Sequence, residues 1–129
     1  MAGRYIKLVE GRGFIESETA LVVPRAEFAE EEADIFLDAV FSDWDRTWWS
    51  PTSLPQEAQH VGLRVASAFY LRQQLAKTNP EATDKAQYAD FLFKEAQEMA
   101  DRIVRRGWIV GLNNERLYPE NRTNQLGDI

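Results

Sequence analysis

From Pro24 onward, apolar residues return every three or four positions, which is the spacing of helices with one buried side. Pro24 opens the first of these segments, a helix of about 20 residues, since proline is well placed in a first helical turn. Phe28, Ile35, Phe36, Ala39, Val40 and Phe41 fall mostly on one broad side and form the expected buried face. Glu27, Glu30, Glu31 and Glu32 lie toward the positive end of the helix dipole. The helix is expected to fade between Trp44 and Trp48. Residues 45–55 read as a loop, in which one or both of Trp48 and Trp49 should pack as a plug on the bundle. Exposed indoles there would instead indicate a partner surface.

Ser53 and Gln56 fit a capping box at the start of a second helix that runs to about Lys77. Ala58, Val61, Gly62, Val65, Ala68, Phe69, Arg72 and Leu75 step along it at i, i+3 and i+4. The small residues at 58, 62 and 68 invite close approach by another helix. Asn79-Pro80 ends this helix. A third runs from about Glu81 or Thr83 to Arg106, with Ala86, Ala89, Leu92, Phe93, Ala96, Met99, Ala100, Ile103 and Val104 as its stripe. Gly107 stands where a left-handed C-terminal residue belongs, just past Arg105-Arg106. The short connection makes helices two and three antiparallel neighbours.

Periodicity is absent at both ends. Tyr5-Ile6-Lys7-Leu8-Val9 is β-prone, Gly11-Arg12-Gly13 signals a turn, and Phe14-Ile15 and Leu21-Val22-Val23 resume apolar character, a pattern compatible with a hairpin. After Gly107 comes Trp108-Ile109-Val110-Gly111-Leu112 and then polar, asparagine-rich chain, read as an arm that a partner orders. The chain is thus expected to be mainly α: a β-prone segment over 1–23, a bundle of about three helices with a long antiparallel hairpin over 24–107, and an extended C-terminal arm over 108–129. Trp108, Leu117, Tyr118, Arg122 and Leu126 are the anchors the arm offers a partner.

Composition narrows the function. The 129 residues carry fifteen aromatics, enough for a core, and a net charge of −6. That charge is concentrated: residues 16–45 hold ten acids against Arg25 alone. Such a segment repels phosphate, which disfavours groove binding to nucleic acid but suits a channel wall that DNA passes without sticking. With no cysteine, disulfides and thiolate metal sites are excluded. No apolar run approaches the roughly 18 residues of a membrane span, and Met1–Lys7 lacks a signal-peptide core, so synthesis in the cytoplasm is expected. Glu57 and His60 have the Glu-x-x-His spacing of di-iron bundles, but a second pair needs a second histidine and the chain has one. Neither a phosphate loop nor a nucleophile–base arrangement is legible. The expectation is a non-enzyme with no cofactor and no metal. Arg102, Arg105 and Arg106 compensate a helix end, or else meet the acidic helix (Glu30, Glu31, Asp34) of an identical copy. Such a head-to-tail contact closes into a ring.

An acidic amphipathic helix is followed by a proline-containing loop, the helix text PQEAQHVGLRVASAFYLRQQLA, then YADFLFKEAQEMADRIVRRGWIVG and a polar tail. This order resembles the head–tail adaptor (connector, head-completion) proteins of tailed bacteriophages and gene-transfer agents. The closest textual likeness lies in Ala68-Phe69-Tyr70-Leu71 and in Met99–Gly107, within a resemblance that covers about residues 24–107. The β-prone N-terminus departs from that layout. The resemblance implies a virion protein at the head–tail interface. It implies a ring, usually of twelve subunits, beneath the portal protein, held to it by C-terminal arms. A stopper or tail-completion protein would bind below, DNA would pass through an acidic lumen, and no membrane is involved. The competing reading is another small helical binding module, capsid-accessory or antitoxin-like, that forms no ring.

Overall fold

The computed structural model describes residues 4–8, 21–75 and 83–119. Three helices dominate: α1 (Val23–Val40), α2 (Gln56–Leu75) and α3 (Thr83–Arg106). Two short strands follow, β1 (Ile109–Val110) and β2 (Arg116–Leu117), paired antiparallel with Ile109 opposite Leu117. The chain is therefore mainly helical, as its periodicity requires. No helix among the described residues is long and apolar enough to cross a membrane.

The helices lie as a layer with α2 in the middle, packed along both neighbours, while α1 and α3 meet only in a narrow zone. Ion pairs give the direction of α3: Glu57 meets Arg106, Arg64 meets Glu95 and Arg72 meets Asp90, so the start of α2 faces the end of α3. α1 is antiparallel to α2 as well. The Val22 amide, ahead of α1, donates to the Tyr70 hydroxyl near the end of α2 at 2.9 Å, and Leu37 reaches Gly62. Small residues line the contacts: Ala26, Ala29 and Ala33 on α1, Ala58, Gly62 and Ala66 on α2, Ala96 and Ala100 on α3. Where the three helices converge, Phe93 takes edge-on contacts from Phe36 and Phe69, each at 5.8 Å between ring centres.

Several local expectations hold. Gly107 ends α3 at φ 88°, and its amide donates to the Ile103 carbonyl at 3.0 Å. Trp49 is the plug, buried against Tyr5 and Phe41, while Trp48 remains half exposed. The small-residue face of α2 is buried as expected.

Others are corrected. Of the expected inner face of α1, Phe41 just past its end is buried and Phe36 and Val40 pack on the core, but the helix centres its buried side on Ala26, Ala29, Glu30, Ala33, Asp34 and Leu37, leaving Ala39 exposed, Phe28 45% and Ile35 60% exposed. It ends at Val40 rather than between Trp44 and Trp48, because the Arg46 guanidinium turns back onto the Phe41 and Trp44 carbonyls at 2.7 and 3.0 Å. A cation on these carbonyls satisfies acceptors that another helical turn would have used. Ser53 does not cap α2; its hydroxyl donates to the Trp48 carbonyl at 2.8 Å and tightens the loop instead. Arg4–Leu8 forms no strand but lies along α1; Leu21 and Val22 form none either and Val23 already belongs to α1, while Val9, the expected turn at 11–13 and Phe14-Ile15 lie outside the described residues. The first part of the expected arm is folded. Ile109 and Pro119 are buried, Leu117 packs on the core, and the turn closes through a 2.8 Å bond from the Gly111 amide to the Glu115 carbonyl, with Asn114 left-handed at φ 61°. Asparagine is among the few residues that take this conformation cheaply.

Candidate functional site

Two carboxylates on the inner side of α1 organise the N-terminus. Glu30 and Asp34, one helical turn apart, are only 2% and 3% exposed. Burying a carboxylate is costly unless donors surround it, and here the donors are backbone amides. Asp34 accepts from Arg4 at 2.8 Å and from Tyr5 at 3.1 Å, one amide on each oxygen. Glu30 accepts from the Leu8 amide at 2.6 Å. Between these anchors Ile6 drops onto Gly62, so close that a β-carbon there would stand 2.6 Å from Ile6 Cγ1. Burial pushes the Asp34 carboxyl above its ordinary value, although the Arg4 and Tyr5 amides pull against it.

One turn further on, Asp38 gathers the polar ends of this segment. The Tyr5 hydroxyl donates to it at 2.7 Å, Arg46 Nε at 2.9 Å, and the Arg4 guanidinium bonds its other oxygen. Burial raises the Asp38 pKa, but the bonds from Tyr5, Arg46 and Arg4 outweigh it, and the carboxyl rests below its ordinary value. The Tyr5 hydroxyl is pushed up, by burial first and by Asp38 second. An open cleft of about 600 Å³ runs over this cluster, bordered by Ser42, Trp44, Asp45, Thr47 and Trp49. The charges facing it are largely neutralised by one another.

A second constellation clamps the C-terminal hairpin. Glu57, in the first turn of α2, accepts the Val110 amide at 2.8 Å and also pairs with Arg106. Arg106 stacks 3.6 Å from the centre of the Trp108 ring and donates to the Trp108 carbonyl. Arg116 approaches the same ring at 4.8 Å. Trp44 Nε1 donates to the Leu117 carbonyl at 3.3 Å.

These geometries reassign the residues singled out in the sequence. Glu30 and Asp34 are not on a solvent face and are occupied within the chain, so neither is placed to meet a neighbouring copy. Arg106 is likewise engaged internally. Glu31, Arg102 and Arg105 are exposed; Arg105 pairs with Asp101 one turn back. Trp108 and Leu117 belong to the docked hairpin rather than to a free arm, while Tyr118 is exposed. Arg122 and Leu126 lie outside the described residues. Glu57 and His60 do not form a pair, since Glu57 serves the hairpin and His60 points to solvent.

Sequence reading missed Tyr5, Asp38 and the role of Glu57, which act across long stretches of chain, and Arg46, which acts locally on Asp38, Phe41 and Trp44. It also missed the outer surface of α1, where Pro24, Phe28, Glu31, Ile35 and Ala39 form a continuous exposed stripe. The signal was available: Ala26, Ala29, Ala33 and Leu37 recur at the same helical spacing and form a competing apolar stripe. Comparison with family models, with curated proteins and with solved structures gives no match.

Proposed function

We propose that this chain is a structural assembly protein of the head–tail adaptor type, forming a ring beneath a phage portal through contacts between unlike surfaces of successive copies. The observation that supports this most is the placement of exposed apolar side chains on both flanks of the three-helix layer. On one flank α1 presents Phe28 and Ile35; on the other α3 presents Phe91 and Tyr88. Large exposed apolar side chains aligned on a helix mark interaction surfaces. Two different surfaces on two sides are what a heterologous, ring-closing contact requires, whereas a two-fold dimer uses one surface twice.

The contact proposed here differs from one between buried acids and the arginine cluster. It sets Phe28, Glu31 and Ile35 of one copy against the α3 flank of the next, where Phe91, Arg102 and Arg105 are exposed. The portal contact is assigned to Tyr118, Arg122 and Leu126, beyond the docked hairpin. A stopper or tail-completion protein would take the opposite face of the ring, and DNA would pass through the lumen without sequence-specific binding.

The test is electron microscopy and native mass spectrometry of the full chain, alone and with the portal protein of the same genome. Rings on the portal are expected. The double substitution Phe28→Glu/Ile35→Glu should leave helicity intact and abolish them. A discrete dimer under all conditions, or rings unaffected by that substitution, refutes the reading; the dimer would favour a small binding module instead.

A further inference from the structure

Arg4–Leu8 sits on the bundle as a bound peptide does. Its main-chain amides are taken by side chains of α1, at Asp34 for Arg4 and Tyr5 and at Glu30 for Leu8, rather than by a strand ladder. Four of its five side chains are read separately. Arg4 and Tyr5 bond Asp38, Tyr5 also meets the edge of Trp49, Ile6 occupies the space left by Gly62, and Leu8 is fully buried. This is a groove fitted to the Arg-Tyr-Ile-x-Leu segment, bent at Arg4 and Tyr5 and helical at Leu8, with main-chain and side-chain recognition combined.

We propose that this groove also accepts the Arg4–Leu8 segment of a second copy, so that neighbouring chains exchange N-terminal segments. Three observations carry this. An empty groove leaves two buried carboxylates without donors, which strongly favours filling it. The second copy carries the identical segment, so every contact made within one chain is reproduced between two, the condition under which exchange is cheap. The connection is long enough: twelve residues separate Leu8 from Leu21. Fully extended they span up to about 40 Å, more than the roughly 27 Å length of an 18-residue helix such as α1. The proposal stands apart from the ring, since segments can be exchanged in a dimer or between any adjacent copies.

The absence of native cysteine makes a direct test available. Lys7 and Gln59 border the same cavity of about 240 Å³ beside the groove. One full-length variant carries Lys7→Cys and another Gln59→Cys. After mixing and mild oxidation, a disulfide between the two is expected, read as a heterodimer on a non-reducing gel. Adding Ile6→Asp and Leu8→Asp to the Gln59→Cys chain vacates its groove and should raise the yield. Adding Gly62→Val to that chain instead should return the yield to background. Circular dichroism establishes that each variant is folded, and a labelled peptide of residues 1–10 should bind the vacated chain more tightly than the parent, whose own segment competes. Absence of the heterodimer with the vacated chain overturns the proposal even if the peptide binds. So does a heterodimer that survives Gly62→Val. Repeating the cross-link in Phe28→Glu/Ile35→Glu, which removes the proposed ring contact, should not change the result; loss of the cross-link there overturns exchange as an independent property.

Discussion

Gly62→Ala should change the sign of its effect according to what stands at position 6. An alanine β-carbon at 62 would lie 2.6 Å from Ile6 Cγ1, nearer still to Ile6 Cδ1, and 3.1 Å from Leu37 Cδ1. Relieving such a clash by shifting side chains costs about 1–3 kcal/mol. Against this, replacing glycine inside a helix with alanine gains about 1 kcal/mol. In the parent the balance is destabilising by roughly 0–2 kcal/mol. Ile6→Ala alone removes a buried side chain and should cost about 2–5 kcal/mol, depending on how far the site collapses. It also removes both Ile6 atoms that crowd position 62. In that background Gly62→Ala should stabilise, by up to about 1 kcal/mol. The coupling between the two positions is therefore roughly 1–3 kcal/mol, the size expected for residues in direct contact. Urea denaturation of the parent, the two single variants and the double variant, followed through tryptophan fluorescence, measures it. Each kcal/mol moves the midpoint by roughly 0.3–1 M. If Gly62→Ala stabilises both backgrounds equally, Ile6 does not occupy this space and the docked N-terminal segment is wrong.

Two further outcomes follow from the carboxylates. Glu57→Ala leaves the half-buried Val110 amide without its acceptor and should cost about 1–3 kcal/mol, with faster hydrogen exchange at Val110 and greater quenching of Trp108 by acrylamide; unchanged protection at Val110 would show that the hairpin is held otherwise. Asp38 and Asp34 should show opposite pH dependence. The depressed Asp38 value gives stability that is present above the ordinary carboxylate range and lost as pH falls through the lowered folded value. The raised Asp34 value means the ionised form is disfavoured by folding, so its contribution improves as pH falls through the raised value. Denaturation of Asp38→Asn and Asp34→Asn across the acidic range should therefore flatten the parent profile in one case and steepen its acid loss in the other; parallel profiles contradict both assignments.

The parts of this fold that could be read from the sequence are those set by neighbouring residues. α3 carries one dominant apolar stripe, so the burial of Ala89, Leu92, Ala96, Ala100 and Ile103 follows from spacing, although Val104, expected on that stripe, is 39% exposed. Gly107 ends it because a left-handed residue is required there, and a glycine takes that conformation without strain. The small residues of α2 marked a face that another helix approaches closely, while its middle position in the layer came from the tertiary structure. The functional surfaces were less legible, because each depends on a choice between two locally equal solutions. Trp48 and Trp49 are adjacent and chemically identical, yet only Trp49 has Tyr5 and Phe41 beside it.

α1 makes the same point more sharply. Its sequence determined that it would be a helix, with an alanine stripe and a phenylalanine–isoleucine stripe on opposite sides. Larger side chains bury more apolar area, which favours Phe28 and Ile35 inside if the helix is considered alone. Tertiary structure decided otherwise. Close approach to α2 admits alanine, and the amides of a segment some thirty residues away require Glu30 and Asp34 on the inner side. A rigid helix cannot turn both its carboxylates and Phe28 and Ile35 inward, so satisfying the buried amides left the larger apolar residues on the surface, where the proposed assembly contact lies.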